Sequence, residues 1–508
     1  MESDRIFIGG GGPDYQLPQE LLLKYANRHG LIAGATGTGK TVTLQILAEA
    51  LSASGVPVFL SDVKGDLSGL AVAGSDTFKL HEAFQSRADS IGLTDYHYQP
   101  FPVTFWDLFG KAGHPVRTTV AEMGPLLMSR LLELTEAQEG VLNIAFRVAD
   151  EQGLGLLDLS DLQALLVWIG QNSKELSLRY GNVSTASVGA IQRNLLVLEN
   201  QGGLNLFGEP ALELADMMQR DADGRGRINI LAADTLMASP KLYATFLIWL
   251  LSELFEELPE VGDPDKPKLV LFFDEAHLLF EGAPKALVDK IEQVARLIRS
   301  KGVGIYFITQ HPRDIPEDIL GQLGNRIQHA LRAYTARDRK QLQQAAETYR
   351  DNPRFDTEEA IREVGVGEAV TSLLQKKGIP GMVERTLIRP PSTQLGPISA
   401  DQRRAVMQDS PLVGKYDTRL DRESAFEILQ KRSQDAAKAA QAAEQAEASP
   451  RSVGRRYSGD HVGRAAPRKK AKDDSWSSAI GGAILKELKG TTGRRIVRGI
   501  LGGLFKGR

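Results

Sequence analysis

Residues 31–41 read "LIAGATGTGKT": three apolar residues, then glycines and threonines, then a lysine and a further threonine. The spacing Gly34-x-x-x-x-Gly39-Lys40-Thr41 is the phosphate-binding loop pattern. Its surroundings suit that chemistry. Leu31–Ala33 read as a strand end, and "TVTLQILAEALSAS" (41–54) carries apolar residues at 42, 44, 46, 47 and 51, the spacing of a helix. Glycines between strand and helix let backbone N–H groups converge on an anion, and the helix N-terminus adds partial positive charge. Gly34, Ala35, Thr36, Gly37, Thr38, Gly39, Lys40, Thr41 and Val42 are expected to bind the phosphates of a nucleotide. Lys40 would reach the β- and γ-phosphates and Thr41 would place its hydroxyl on Mg2+.

Composition bounds the setting. A chain of 508 residues allows roughly two to four domains. It has 42% hydrophobic residues, enough for a core, and no cysteine, which excludes disulfides, iron–sulfur clusters and thiolate metal sites. The 8 histidines show no ligand-like spacing. No apolar run approaches the roughly 18 residues of a transmembrane segment, and "MESDRIFIGG" lacks a signal pattern, so a cytoplasmic protein is expected. The net charge of −3 conceals an asymmetry. Residues 451–508 hold 15 Lys/Arg against 4 Asp/Glu, net +11, leaving residues 1–450 with 46 against 60, net −14. A basic arm on an acidic body is a solvated segment or one that meets phosphate or another acidic surface.

Apolar strands alternate with helices along most of the chain. "VPVFLSD" (56–62), "YQPFPVTFWDL" (98–108), "GRINILAAD" (226–234), "KLVLFFDEAHLLF" (268–280), "GVGIYFITQ" (302–310), "GNRIQHALRA" (324–333) and "GEAVTSLL" (367–374) supply the strands. Helices are expected over 239–258 and 284–300. This alternation implies an α/β fold with a mostly parallel sheet covered on both faces, and together with the phosphate loop the expected class is a RecA-like P-loop NTPase. The expected organisation is an ATPase core in two parts, 1–114 and 226–400, around an inserted helical bundle, 115–225. A helical extension (401–448), a disordered linker (449–475) and a basic Gly/Ile/Leu tail (476–508) follow.

The strand "LVLFF" delivers Asp274 at its C-terminal edge, where ligands bind in open α/β sheets. Asp274 would hold Mg2+ through water, and Glu275 suits a general base that polarises the attacking water. Two acidic residues favouring a helix dipole are the plainer reading. The string "DEAH" alone does not make an RNA helicase, because the accompanying motifs are absent, and His277 reads as structural. "GVGIYFITQHP" ends in Thr309-Gln310, so Gln310 either orients water near the γ-phosphate or caps a loop. Arg296 and Arg299 lie at a helix end, where cations are favoured in any case.

In their order, "LIAGATGTGKT", "DVKGDLSGL" (62–70), "LFFDEAHLLF", "RSKGVGIYFITQHP" and "GRRIVRGILGGLF" (493–505) resemble the HerA/FtsK superfamily of ring-forming DNA-pumping ATPases. The resemblance is strongest to the stand-alone HerA-like proteins of the YjgR type and runs over nearly the whole chain. It implies that Arg299 is a finger offered to a neighbouring subunit, and that Asp62, Lys64 and Asp66 stand near the nucleotide edge, where an Asx-capped turn is the competing reading. The N-terminal barrel of HerA proper and the membrane spans and winged helix of FtsK have no counterpart here. The expected function is a hexameric, ATP-hydrolysing motor acting on double-stranded DNA. The alternative is an ATPase or nucleotide-gated scaffold whose partner is a protein. A third class, a nucleotide-binding regulator with little hydrolysis, fits poorly with a base, a glutamine and a finger together. For the tail, an anionic membrane surface, nucleic acid and an adjacent subunit compete, and its glycines, which disfavour a free helix, favour docking on an adjacent subunit.

Overall fold

A computed structural model describes residues 4–281, 285–333 and 335–448 of the protein. In chain order the strands are β1 (Arg5–Gly11), β2 (Leu17–Leu22), β3 (Gly30–Ala33), β4 (Val58–Asp62), β5 (Val103–Asp107), β6 (His114–Pro115) and β7 (Ile228–Ala232). They continue with β8 (Leu269–Phe273), β9 (Val303–Thr309), β10 (Asn325–Gln328), β11 (Glu368–Ser372), β12 (Leu374–Gln375), β13 (Ile379–Pro380) and β14 (Glu384–Ile388). Twelve of these form one sheet in the order β2-β1-β14-β11-β10-β3-β9-β8-β4-β7-β5-β6, and β12 pairs with β13 in a separate ribbon.

From β10 to β6 every pairing is parallel. Strands β4, β8 and β9 are buried at every position, as continuous apolar strands covered on both faces must be. On one face Ile32, Leu60, Val270, Phe272 and Ile308 join Leu44, Leu47 and Leu51 of helix α1 (Lys40–Ala53) in the main core cluster. On the other, Phe273 and Phe307 lie with ring centroids 5.9 Å apart. The central order β10-β3-β9-β8-β4 inserts β9 between the phosphate-loop strand β3 and the strand β8 that carries Asp274. This is the RecA-like arrangement, and it brings the C-terminal ends of β3, β9, β8 and β4 to one sheet edge.

The antiparallel strands β11, β14, β1 and β2 extend the sheet on the β10 side. Three of them, β1, β2 and β14, have no counterpart in the pattern reading. Glycines mask β1: a Cβ on Gly9 would lie 2.1 Å from the Leu387 carbonyl oxygen, so only glycine lets β14 approach. Strand β14 does alternate, with Glu384, Thr386 and Ile388 buried.

Between β6 and β7 lie the helices Val120–Leu131, Glu136–Gln152, Leu159–Gln171, Ser173–Tyr180 and Thr185–Leu198. Thr119 with Glu122, and Asp158 with Asp161, form capping boxes at two of their starts. Their buried positions recur three or four apart, as in Leu162, Leu165, Leu166 and Ile169. The chain divides into two compact units at Arg422 and Glu423. Within the second, the helix Ala425–Ala448 starts where Glu427 accepts from the Ser424 amide at 2.9 Å. The expected linker and basic tail lie outside the described residues. Among the described residues no helix is long and apolar enough to cross a membrane.

Candidate nucleotide site

The phosphate loop runs from β3 into α1, and its neighbours shape it. A Cβ on Gly34 would meet the His329 Cβ at 2.5 Å, and φ there is +152°. Gly34 N donates to the Thr309 carbonyl at 3.3 Å and Ala35 N to the Ala330 carbonyl at 2.9 Å, which ties the loop to the ends of β9 and β10. From the other side the Gly367 amide donates to the Thr38 carbonyl at 3.1 Å. Helix α1 starts on Gly39 with no side-chain cap and no acidic residue in its first turn, unlike the capped helices above. Its first amides have no side-chain competitor for an anion.

Lys40 Nζ donates to the carbonyls of Gly34 at 2.6 Å and Ala35 at 3.1 Å. Its pKa is lowered, first by burial and then by the Lys64 ammonium, against the pull of Glu275 and Asp274. Thr41 and Val42 are partly buried in the first turn. A Cβ added at Gly37 would meet nothing within 4 Å, so the centre of the loop opens onto space a phosphate can fill.

Asp274 and Glu275 follow β8 directly. Asp274 N donates to Ser61 Oγ at 3.0 Å, and Tyr243 Oη donates to Ser61 Oγ at 2.8 Å, so the end of β8 is fastened to the end of β4. Burial raises the Asp274 pKa to about 6, opposed by Lys64 and assisted by Glu275. Glu275 sits at φ +48°, a conformation rare outside glycine and one that collects at functional sites. Its Oε1 lies 3.0 Å from Lys64 Nζ. Its buried Oε2 has no hydrogen-bond partner, His277 Nδ1 standing 3.4 Å away.

Asp62 ends β4 and accepts from the amides of Gly65, Asp66 and Leu67 at 2.8, 3.2 and 3.0 Å. This is the Asx-type turn weighed from the sequence, and it holds Lys64 over Glu275. Thr309 Oγ1 donates to Asp314 at 2.6 Å, and Gln310 is exposed just beyond it at the same sheet edge. Arg299 is elsewhere. It lies in the short helix Ile298–Lys301 before the start of β9, with Nη2 on Asp263 Oδ1 at 3.1 Å. The seven residues of β9 separate it from this site by about 20 Å. Arg296 pairs with Glu292 one turn back in its helix.

The pattern reading passed over His329, Ser61 and Tyr243. His329 touches the loop from beneath, and a lone histidine at a strand end carries no spacing signal that would have found it. Ser61 in β4 and Tyr243 in the helix Pro240–Glu257 are 182 positions apart and meet only where that helix packs on the sheet.

A glycine loop leading from a buried strand into an uncapped helix, with a buried acidic pair two strands away, defines a P-loop nucleoside triphosphatase. The family model described as helicase HerA-like C-terminal matches residues 11–508; the chain belongs to that family and is a P-loop ATPase. A probable helicase of Methanocaldococcus jannaschii is 29% identical over 142 residues, 26% of each chain, so the chain spans about a quarter of that relative's length. Two solved structures are also similar. Plasmid coupling protein TrwB with a non-hydrolysable GTP analogue has 13% identity and a TM-score of 0.49, over 78% of this chain and 91% of its own. VirB4 of Thermoanaerobacter pseudethanolicus has 14% identity and a TM-score of 0.48, over 79% and 99%.

Proposed function

We propose that this ATPase works as a ring of six copies that couples ATP hydrolysis to movement along double-stranded DNA. The carrying observation is the position of Arg299, about 20 Å from the phosphate loop of its own chain across the length of β9. An arginine there can meet a γ-phosphate only in a neighbouring copy. The family's helicase description supports DNA as the track.

Lys40 and the α1 amides would bind the phosphates. The Thr41 hydroxyl and Asp274 carboxylate, hard oxygen donors, fit Mg2+, which when bound screens phosphate charge and needs few protein ligands beside the nucleotide. Glu275 would take a proton from water as the water oxygen bonds to the γ-phosphorus. The bond from that phosphorus to the bridging oxygen breaks, giving ADP and inorganic phosphate. Gln310 would orient the water, and Arg299 of the next copy would stabilise charge on the transferring group.

The net −14 of residues 1–450 favours a second reading, a ring whose partner is a protein. ATPase rates with and without duplex DNA, over a series of salt concentrations, separate the two. Stimulation that falls steeply with salt supports the DNA motor. Rings that hydrolyse ATP at one rate with or without DNA overturn it in favour of the protein partner.

A further inference from the structure

We infer that Lys64 is a positioning residue for hydrolysis, holding the Glu275 carboxylate so that one oxygen is anchored and the other is free to accept a proton. The inference rests on the reading of Glu275 as the general base.

The two oxygens of Glu275 are in different situations. Oε1 is ion-paired with Lys64 Nζ at 3.0 Å, while Oε2 is buried and makes no hydrogen bond, its nearest charged neighbour being His277 Nδ1 at 3.4 Å. A buried carboxylate oxygen left without a donor costs free energy, so such groups call for an explanation. Proton acceptance is one, because a donor already on Oε2 would compete with the substrate water.

The lysine is held in place for this task. Asp62 gathers the amides of Gly65, Asp66 and Leu67, which fixes the turn that carries Lys64. The bond from Asp274 N to Ser61 Oγ fixes the neighbouring strand end that carries Glu275. The register between β4 and β8, with Ser61 opposite Phe273, then sets the two side chains against each other. Burial works against the Lys64 charge, yet its hydrogen bond to Glu275 and the carboxylates of Asp274 and Asp66 keep its pKa above the usual lysine value. The lysine side chain is 42% exposed and that of Glu275 11%, so solvent screens the lysine end of the pair while the carboxylate end is enclosed.

Lys64→Met, Lys64→Arg, Glu275→Gln and the Lys64→Met/Glu275→Gln double variant test this in the full-length ATPase. The readouts are single-turnover hydrolysis of labelled ATP, steady-state kcat and KM, and melting temperature. Lys64→Met should lower kcat by about 10²-fold, the cost of a misplaced catalytic group, with KM and melting temperature little changed. Lys64→Arg should recover part of that loss. In the Glu275→Gln background, Lys64→Met should cost nothing further. Turnover of Lys64→Met at or above the wild-type rate overturns the inference, as does an equal loss with and without Glu275. Wild-type turnover in Glu275→Gln overturns the reading of the base instead, which keeps the two failures apart.

Discussion

His329 Nε2 lies 2.8 Å from Thr43 Oγ1 in α1, and its Nδ1 lies 2.9 Å from the Glu368 carbonyl. A carbonyl only accepts, so Nδ1 carries the proton and Nε2 accepts from the threonine hydroxyl. The ring is neutral and packed beneath the phosphate loop. Burial first, and then the nearby Lys40 ammonium, lower its pKa to about 4. His29, buried among the carbonyl of Ala295 and the amide of Ile305, is likewise lowered to about 4, mainly by burial.

These two histidines make acid stability predictable. Unfolded histidine takes up a proton near pH 6.5, whereas the folded rings resist until about pH 4. Stability is therefore full above pH 6.5 and is lost as pH falls toward 4, by roughly 2 kcal/mol per histidine at pH 5. Urea unfolding at pH 7 and pH 5 measures the difference. His329→Gln should flatten the slope by about half of that two-histidine term, and an unchanged slope would refute the assignment.

Lys40→Ala and Glu275→Gln should separate binding from chemistry. The first removes the cation of the phosphate loop and should abolish nucleotide binding or turnover. The second keeps the shape of the side chain but accepts no proton, so a fluorescent ATP analogue should bind as before while hydrolysis stops. A general base contributes roughly 10²- to 10⁴-fold, which sets the scale of the loss.

Arg299→Ala asks whether the site is shared between copies. A finger supplied in trans is worth roughly 10³ to 10⁵ in rate, so turnover should collapse with ATP affinity nearly intact. Mixing Arg299→Ala chains with Lys40→Ala chains should restore some activity, since one brings an intact loop and the other an intact arginine. Native mass spectrometry would first establish that mixed assemblies form; exchange without rescue returns Arg299 to its pairing with Asp263.

Glu49, buried in α1, accepts from the amides of Ser392 and Thr393, from Thr393 Oγ1 and from Arg389. Glu49→Leu leaves those donors and the guanidinium unanswered and should destabilise the protein by about 3–5 kcal/mol. The urea midpoint reports it, and a loss below about 1 kcal/mol would contradict the clasp.

The parallel core was legible because buried strands announce themselves: "LVLFF" and "VGIYFIT" can hardly lie anywhere but the middle of a sheet. Local spacing and strand-end position pointed to Lys40, Thr41, Asp274 and Glu275, and the structure brings them to one sheet edge as candidates for the nucleotide site. Arg299 was readable as a residue, yet its distance from its own site became visible only once β9 had a direction. Strand β1 was hidden because its glycines serve a close approach rather than a pattern. Lys64 could be placed near the nucleotide edge from sequence, but not against Glu275; His329 meets Thr43, 286 positions away, and no window of neighbouring residues contains such a pairing.

The bracing of the loop also has an order in time. The first 41 residues hold every residue of the glycine motif, but the groups that shape it, His329 below, Gly367 beside it and Thr393 behind α1, are made hundreds of residues later. Strand β1 waits as long for β14, Gly9 facing Ile388. Contacts so distant along the chain close late and make folding slow. A ribosome that stalls before residue 329 therefore releases a polypeptide with the motif and without its mould. Nucleotide capture is then expected only after residues 329–393 have been made, roughly 290 to 350 positions beyond the motif.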